Sequence, residues 1–188
     1  MAKERLRPLA AEEMTAEQRR VADAVLTGPR GGLRGPFPVL LRKPKLAESA
    51  RRLSDCIRYD NVLPPPLREL AIIIVARHWD AHYAWYAHSQ IALDEGLGPA
   101  IVDAIARSEE PDELSIDEKI VYDFSRELLN ENDLSDAVYD AALARFGEAG
   151  VVDLSATIGF YCFVAVTLNM VREEVPDDGK NLPNIDPR

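Results

Sequence analysis

The sequence has few of the residues on which disulfide-rich, metal-binding and nucleic-acid-binding proteins depend. Its 188 residues include 2 cysteines, Cys56 and Cys162, which lie far apart and form no CxxC pair. This spacing argues against a disulfide framework and against a thiolate metal site. Basic residues are in the minority, with 22 Lys and Arg against 32 Asp and Glu. The resulting net charge of −10 argues against a nucleic-acid partner.

Targeting segments and nucleotide-binding motifs are missing as well. The longest apolar stretch, 157–171, is shorter than the roughly 18 residues of a membrane helix and carries Asn169. The first residues, MAKERLRPLAAEEM, contain charges but no apolar signal region. No glycine-rich phosphate loop and no GxSxG motif occurs. We therefore expect a cytoplasmic protein without a membrane partner and without a cofactor.

Helical patterns account for most of the chain. Thr15 with Gln18, and Ser115 with Glu118, have the spacing of capping boxes at helix starts. Proline and glycine separate the helical segments, and no segment alternates apolar and polar residues as a strand does. The sequence therefore predicts an all-α protein of seven to eight helices. We expect one domain over 1–188, with an extended C-terminal tail over 176–188.

Several segments carry more specific predictions. The segment 28–38 is rich in glycine and proline and predicts an irregular loop, and Gly147 predicts a helix end. The segments 66–93 and 148–171 are long, apolar and central, which predicts burial at a subunit interface as well as in the core. We expect the last helix to run over about 148–175, where Pro176 stops it. In the segment 45–59 we predict one apolar stripe formed by Leu46, Ala50, Leu53 and Ile57.

All three histidines of the chain lie in the segment 68–88. His78 and His82 have the spacing of two metal ligands on a helix, but no third ligand accompanies them, so we predict no metal site. His88 is predicted to share a helix face with an aromatic ring and two small residues that leave space for a ligand. The other members of this face are Ala81, Ala84 and Trp85.

Glu69 and His88 form the main catalytic candidate. They lie 19 positions apart, each in apolar surroundings. A carboxylate beside a neutral imidazole orients the ring and raises its basicity, as general acid–base catalysis requires. The alternatives are a structural hydrogen bond between the two residues, or an ion pair of Glu69 with Arg68 or Arg77.

A basic segment in this acidic chain is the second candidate. It surrounds the loop 28–38 and includes Arg30 and Arg34, whose guanidinium groups could bind a substrate carboxylate. Pairing of these arginines with surface acids is the alternative interpretation.

The sequence resembles the carboxymuconolactone decarboxylase family, which includes the alkylhydroperoxidase D (AhpD) proteins. The resemblance covers 35–170 and implies an all-α AhpD-like domain that assembles as a homo-trimer or homo-hexamer. It also implies that Glu69 and His88 are catalytic. The motifs that carry it are Arg68-Glu69-Leu70, Trp85-x-x-His88-x-x-x-Ala92 and, upstream, Gly35-Pro36-Phe37.

The sequence departs from the redox members of this family. Their CxxC motif would fall at Ala81 and Ala84, so both thiols are missing and thiol peroxidase activity is excluded. Many decarboxylase members have a glutamate where Ala84 stands, so strict carboxymuconolactone decarboxylation is in doubt too.

The resemblance then implies a cofactor-free lyase, taking part in the breakdown of aromatic compounds. Its substrate would be a small carboxylated lactone or aromatic-derived acid, and its reaction decarboxylation or a related proton transfer. The predicted substrate-binding residues are Trp85, Tyr86, His82, Phe37 and Arg34. The alternative is a non-catalytic ligand-binding or assembly protein built on the same scaffold.

Overall fold

The computed structural model describes residues 5–177, 179 and 182–184. Within these residues the backbone forms eight α-helices and a 3₁₀ turn at Ala11–Glu13, with no β-strand, which confirms the predicted all-α fold. In chain order the helices are α1 Ala16–Thr27, α2 Phe37–Leu40, α3 Pro44–Tyr59, α4 Pro65–His78, α5 His82–Asp94, α6 Pro99–Ala106, α7 Ile116–Glu131 and α8 Asp136–Val171.

Local capping chemistry sets the helix ends. Both predicted capping boxes are present, because the hydroxyls of Thr15 and Ser115 accept hydrogen bonds from backbone amides three residues later. Gly147 interrupts α8 with a φ of 71°, so α8 is two helices joined at a kink. Two predicted boundaries are wrong. The helix α2 begins inside the predicted loop, and α8 ends at Val171 because Arg172 adopts a left-handed conformation with a φ of 59°.

The helix α4 is the centre of the domain. It packs against α5, α6, α7 and α8. Every residue from Leu67 to Arg77 is buried, including charged ones. A helix that is surrounded on all sides needs apolar residues on all sides, as its sequence predicted. Glu69 therefore lies in the interior because of its position in α4.

The buried side of α3 differs from the predicted stripe. Leu46 and Leu53 are each 46% exposed, whereas Ala50 and Ile57 are buried as predicted. Ala47 and Ser54 complete the buried side in their place. The helix α3 packs against α1, α2 and α8, and the two leucines face outward.

The helix α8 is long and apolar enough to cross a membrane when judged by length and composition alone. It is kinked, packs against α3, α4, α5 and α7, and buries half of its most apolar part inside the domain. Core helices of soluble domains have the same composition. One side of α8 is exposed; we call the residues Val152, Val166 and Met170 the α8 stripe.

The segment after α8 returns to the core. Leu182 is buried, and Arg77 donates a hydrogen bond to the backbone carbonyl of Pro183. Residues 178, 180–181 and 185–188 of the predicted tail lie outside the described residues.

Candidate active site

The packing of α4 against α5 brings Glu69 and His88 together. Glu69 is fully buried and His88 is 8% exposed. The Nδ1 atom of His88 lies 2.7 Å from Oε2 of Glu69. An ionised carboxylate only accepts hydrogen bonds, so Nδ1 is the donor. In the neutral imidazole, the lone pair that can take a proton is therefore on Nε2.

The environment of Glu69 keeps its carboxylate ionised. Burial alone would raise the pKa of Glu69, but attraction to His88 and the hydrogen bond from its ring outweigh burial and hold the pKa below its ordinary value. Arg58 and Arg68 act in the same direction. The second oxygen, Oε1, lies 3.8 Å from Nε of Arg68 and accepts no hydrogen bond from any described residue.

Tyr161 on α8 completes the immediate surroundings of His88. The two ring centroids are 4.9 Å apart, and the rings meet edge to face at 85°. Burial, followed by the negative charge of Glu69, raises the pKa of Tyr161, so its hydroxyl stays protonated at neutral pH. The sequence predicts the stretch 157–171 only as a buried helix. Tyr161 is the one tyrosine in this apolar stretch, and its phenol hydroxyl is the feature of the sequence that could have identified it.

The predicted face of α5 lies on the buried side of the helix. Ala81, Ala84 and Trp85 are all buried, together with His88. Ala81 is the N-cap residue, because α5 begins at His82. The small residues and the indole ring thus lie on the same side of α5 as the imidazole.

The other predicted substrate-binding residues are buried to different depths. Phe37 is buried beneath Arg30, whose guanidinium carbon is 4.8 Å from the ring centroid. Tyr86 is half-buried and meets Tyr83 edge to face at 6.1 Å. His82 is half-buried too, and its Nδ1 atom has no hydrogen-bond partner among the described residues.

The predicted carboxylate-binding loop carries both of the arginines named from the sequence, and their surroundings differ. Arg34 is exposed, and its guanidinium donates to the backbone carbonyl of Arg30. Arg30 is the loop arginine whose positive charge acts on Tyr161. Both side chains belong to a loop, so the loop backbone sets their directions. Helical periodicity in the sequence cannot predict them.

The remaining chemistry-bearing residues lie elsewhere. In the described part of the chain, no group of three or more His, Cys, Asp and Glu side chains is arranged to hold a metal ion. His78 packs edge to face against Trp79, with 5.8 Å between ring centroids. Cys56 is exposed on α3, and burial raises the pKa of the Cys162 thiol on α8. No thiol lies at the positions of Ala81 and Ala84.

A surface cleft of about 400 Å³ lies between α6 and the segment leading to α7. It is lined by residues from Ala100 to Glu113 and includes none of the candidate site residues. This cleft is therefore separate from the candidate site around Glu69 and His88.

Comparison with solved structures identifies the architecture. The chain superimposes on the crystal structure of an alkylhydroperoxidase AhpD core, an uncharacterized peroxidase-related protein from Ralstonia eutropha JMP134, with a TM-score of 0.75. The match covers 95% of this chain and 95% of that chain, at 16% sequence identity. The chain has the AhpD fold. Comparison of the sequence with protein families and with curated proteins finds no match.

The AhpD fold confirms the resemblance found in the sequence at the level of architecture. It agrees with the eight helices and the absence of strands in the described residues. A fold supports many different chemistries, so the activity must be argued from the residues of the site.

Proposed function

We propose that this AhpD-fold protein is a cofactor-free lyase that decarboxylates a small carboxylated substrate or catalyses a related proton transfer. The observation that supports this proposal most directly is the buried hydrogen bond of 2.7 Å between His88 Nδ1 and Glu69 Oε2. An imidazole oriented in this way by an ionised carboxylate is suited to general acid–base catalysis.

The proposed reaction uses His88 as the proton donor. Cleavage of the bond to the carboxylate releases CO₂ and leaves its electron pair on carbon, where an adjacent unsaturated carbonyl system delocalises it. Protonated Nε2 of His88 then gives its proton to that carbon and regains one from water. Glu69 stabilises the imidazolium, and Tyr161 is a second protonated group beside the ring.

The proposed substrate site uses the aromatic residues around His88. Trp85 and Phe37 supply flat apolar surface that suits an unsaturated ring, while Tyr86 and His82 lie further toward solvent. Arg34 is more exposed than the other predicted residues, so we place it at the entrance to the site.

This proposal differs from the peroxidase-related description of the structural neighbour. Peroxide reduction by thiols needs a reactive thiolate and a resolving thiol. Alanines stand at 81 and 84 in this chain, and burial raises the pKa of the Cys162 thiol. We therefore propose chemistry that depends on His88 and needs no thiol.

We further propose that the protein works in the cytoplasm as a homo-trimer or homo-hexamer, without nucleic-acid or membrane partners. The α8 stripe supports self-association, because its members lie close to one another around the helix and remain exposed. Gly159 lies on the same side and faces open space, which would let a second copy approach the backbone closely.

A second candidate function is that of a non-catalytic ligand-binding or assembly protein. The near-complete burial of Glu69 and His88 favours it, since a structural hydrogen bond would have the same geometry. In that case a substitution of either residue would change only stability, because the protein would have no catalytic activity.

The experiment that tests the proposed function follows the loss of carboxymuconolactone absorbance together with CO₂ release. Wild type is compared with His88→Ala. Turnover in wild type that disappears in His88→Ala supports the lyase. Turnover that persists in His88→Ala removes His88 from the mechanism. If neither protein turns over this lactone or a panel of small unsaturated acids, the binding-protein candidate replaces the lyase.

A further inference from the structure

Three arginines from three different elements converge on the Glu69–Tyr161 region. Arg30 comes from the loop after α1, Arg58 from the last turn of α3, and Arg68 from the first turns of α4. The positive charges of all three act on the hydroxyl of Tyr161. Burial, and then the positive charge of Arg58, lower the pKa of Arg30, so the guanidinium groups also influence one another. We call these residues the arginine cluster.

Few carboxylates lie close enough to the arginine cluster to balance its positive charge. Within the described residues, its nearest carboxylate contact is the one between Arg68 Nε and Glu69 Oε1, at 3.8 Å, and Glu69 is already paired with His88. Other arginines of the chain have close partners; Arg52, for example, lies 2.9 Å from Glu48. In a protein with ten more acidic than basic residues, the scarcity of carboxylates here is specific to this place.

Two members of the cluster also have buried donors without acceptors. The Nε atoms of Arg30 and Arg68 are buried and make no hydrogen bond to a described residue. Arg68 is only 9% exposed as a whole. An unsatisfied guanidinium donor in the interior is costly, so an acceptor supplied by a ligand would stabilise it.

The loop backbone is shaped to hold Arg30 in this position. Gly35 has a φ of 66°, and a Cβ atom at this residue would lie 3.1 Å from the Nη2 atom of Arg30. The same Cβ would lie 3.9 Å from the ring of Tyr83 on α5. Glycine thus lets the loop, the guanidinium and α5 come close together, while Phe37 supports the guanidinium from below.

We propose that Arg30, Arg58 and Arg68 form a binding site for the carboxylate group of a small-molecule ligand, next to the Glu69–His88 pair. Guanidinium groups bind carboxylates through paired charge-assisted hydrogen bonds, and the orphaned Nε atoms are donors of this kind. This inference rests on the proposed function and adds the residues that anchor the substrate. A carboxylate held there brings the rest of the ligand toward His88.

The test measures binding of succinate, an unreactive carboxylate, to the full chain by isothermal titration calorimetry. Succinamide, which has a similar shape and no charge, is the matched ligand. Arg58→Gln is the main variant, because Arg58 is only half-buried. Arg52→Gln is the matched control on the same helix, since its side chain is 75% exposed. Thermal unfolding of each variant checks that it is folded.

We expect wild type to bind succinate more tightly than succinamide, and Arg58→Gln to weaken succinate binding by about tenfold or more. Arg52→Gln should bind succinate as wild type does. Arg58→Lys keeps the charge but loses the paired donors, so it should give an intermediate affinity. The inference is overturned if wild type binds neither ligand, or if Arg58→Gln binds succinate as well as wild type.

The carboxylate that fills this site could also come from an acidic side chain of a second copy of the chain. Light scattering on the same proteins separates the two sources. A change of oligomeric mass in Arg58→Gln, without succinate binding by wild type, assigns the cluster to a subunit interface and overturns the ligand site. Succinate binding without turnover of any acid would retain the arginine cluster and overturn the lyase. Turnover of an acid without succinate binding would retain the lyase and overturn the arginine cluster as a carboxylate site.

Discussion

His88 Nδ1 donates a hydrogen bond to Glu69 Oε2 at 2.7 Å, although the residues lie 19 positions apart on different helices. The carboxylate that accepts this bond is fully buried in the central helix of the domain. A buried carboxylate is tolerated only when hydrogen bonds and opposite charge compensate for the loss of water. His88 and Arg68 provide that compensation here. The pair therefore contributes to stability. Its proposed role in catalysis is tested by a separate measurement of turnover.

Substitution of the pair should affect stability as well as turnover. His88→Ala removes the hydrogen-bond donor to a buried carboxylate, so we expect the free energy of unfolding to fall by about 1–3 kcal/mol. Turnover should fall by at least about 100-fold if His88 is the general acid. Urea unfolding and CO₂ release measure the two effects. Gln90→Ala is the matched control, because Gln90 is an exposed residue of the same helix.

The pH dependence of stability should depend on Glu69. Its pKa is lower in the folded protein than in the unfolded chain, so ionised Glu69 stabilises the fold above the unfolded pKa, near 4.5. This contribution is lost as the pH falls through the lower folded value. Urea unfolding of wild type and Glu69→Gln, from neutral to acidic pH, should show a stability difference that shrinks below pH 4.5. A difference that is constant with pH would contradict an ionised Glu69.

The N-terminus of α5 has two small residues, Ala81 and Ala84, at CxxC spacing. Ala81 is the N-cap of α5 and Ala84 lies in its first turn, so cysteines at both positions would lie at a helix N-terminus, which lowers a thiol pKa. We expect the double variant Ala81→Cys/Ala84→Cys to form a disulfide on oxidation. Thiol titration before and after oxidation measures the loss of two free thiols.

The two single variants, Ala81→Cys and Ala84→Cys, are the controls for this disulfide, because each lacks the partner thiol. We expect wild type to show no peroxide reduction. A double variant that keeps both thiols free under oxidation would contradict the predicted placement, since the side chains would then point apart.

The α8 stripe should control self-association. Val166 is exposed in the middle of the stripe, and a charge at this position would be buried without a partner in any assembly that uses it. We expect Val166→Glu to lower the oligomeric mass measured by size-exclusion chromatography with light scattering. Ile116→Glu is the control, since Ile116 is an exposed apolar residue on α7. An unchanged mass for Val166→Glu would exclude the stripe as the interface.

Local chemistry in the sequence is sufficient to predict most of the helices. The hydroxyls of Thr15 and Ser115 begin helices through bonds made within three residues, and Gly147 breaks one through its own backbone conformation. Apolar residues on all sides of α4 predicted its central position. Glu69 and His88 were also identifiable, because ionisable residues are conspicuous in apolar segments.

Tertiary packing decided what lies around those residues. The sequence of α3 is compatible with two buried stripes, and close packing selected the one with smaller side chains, leaving Leu46 and Leu53 exposed. Tyr161 contacts His88, and the charges of the arginine cluster act on Tyr161, only because segments far apart in the sequence meet around α4 and α5. Helix formation depends on neighbours within one turn, so the sequence by itself determined it. The site depends on distances between segments far apart in the chain, and only the folded structure defines them.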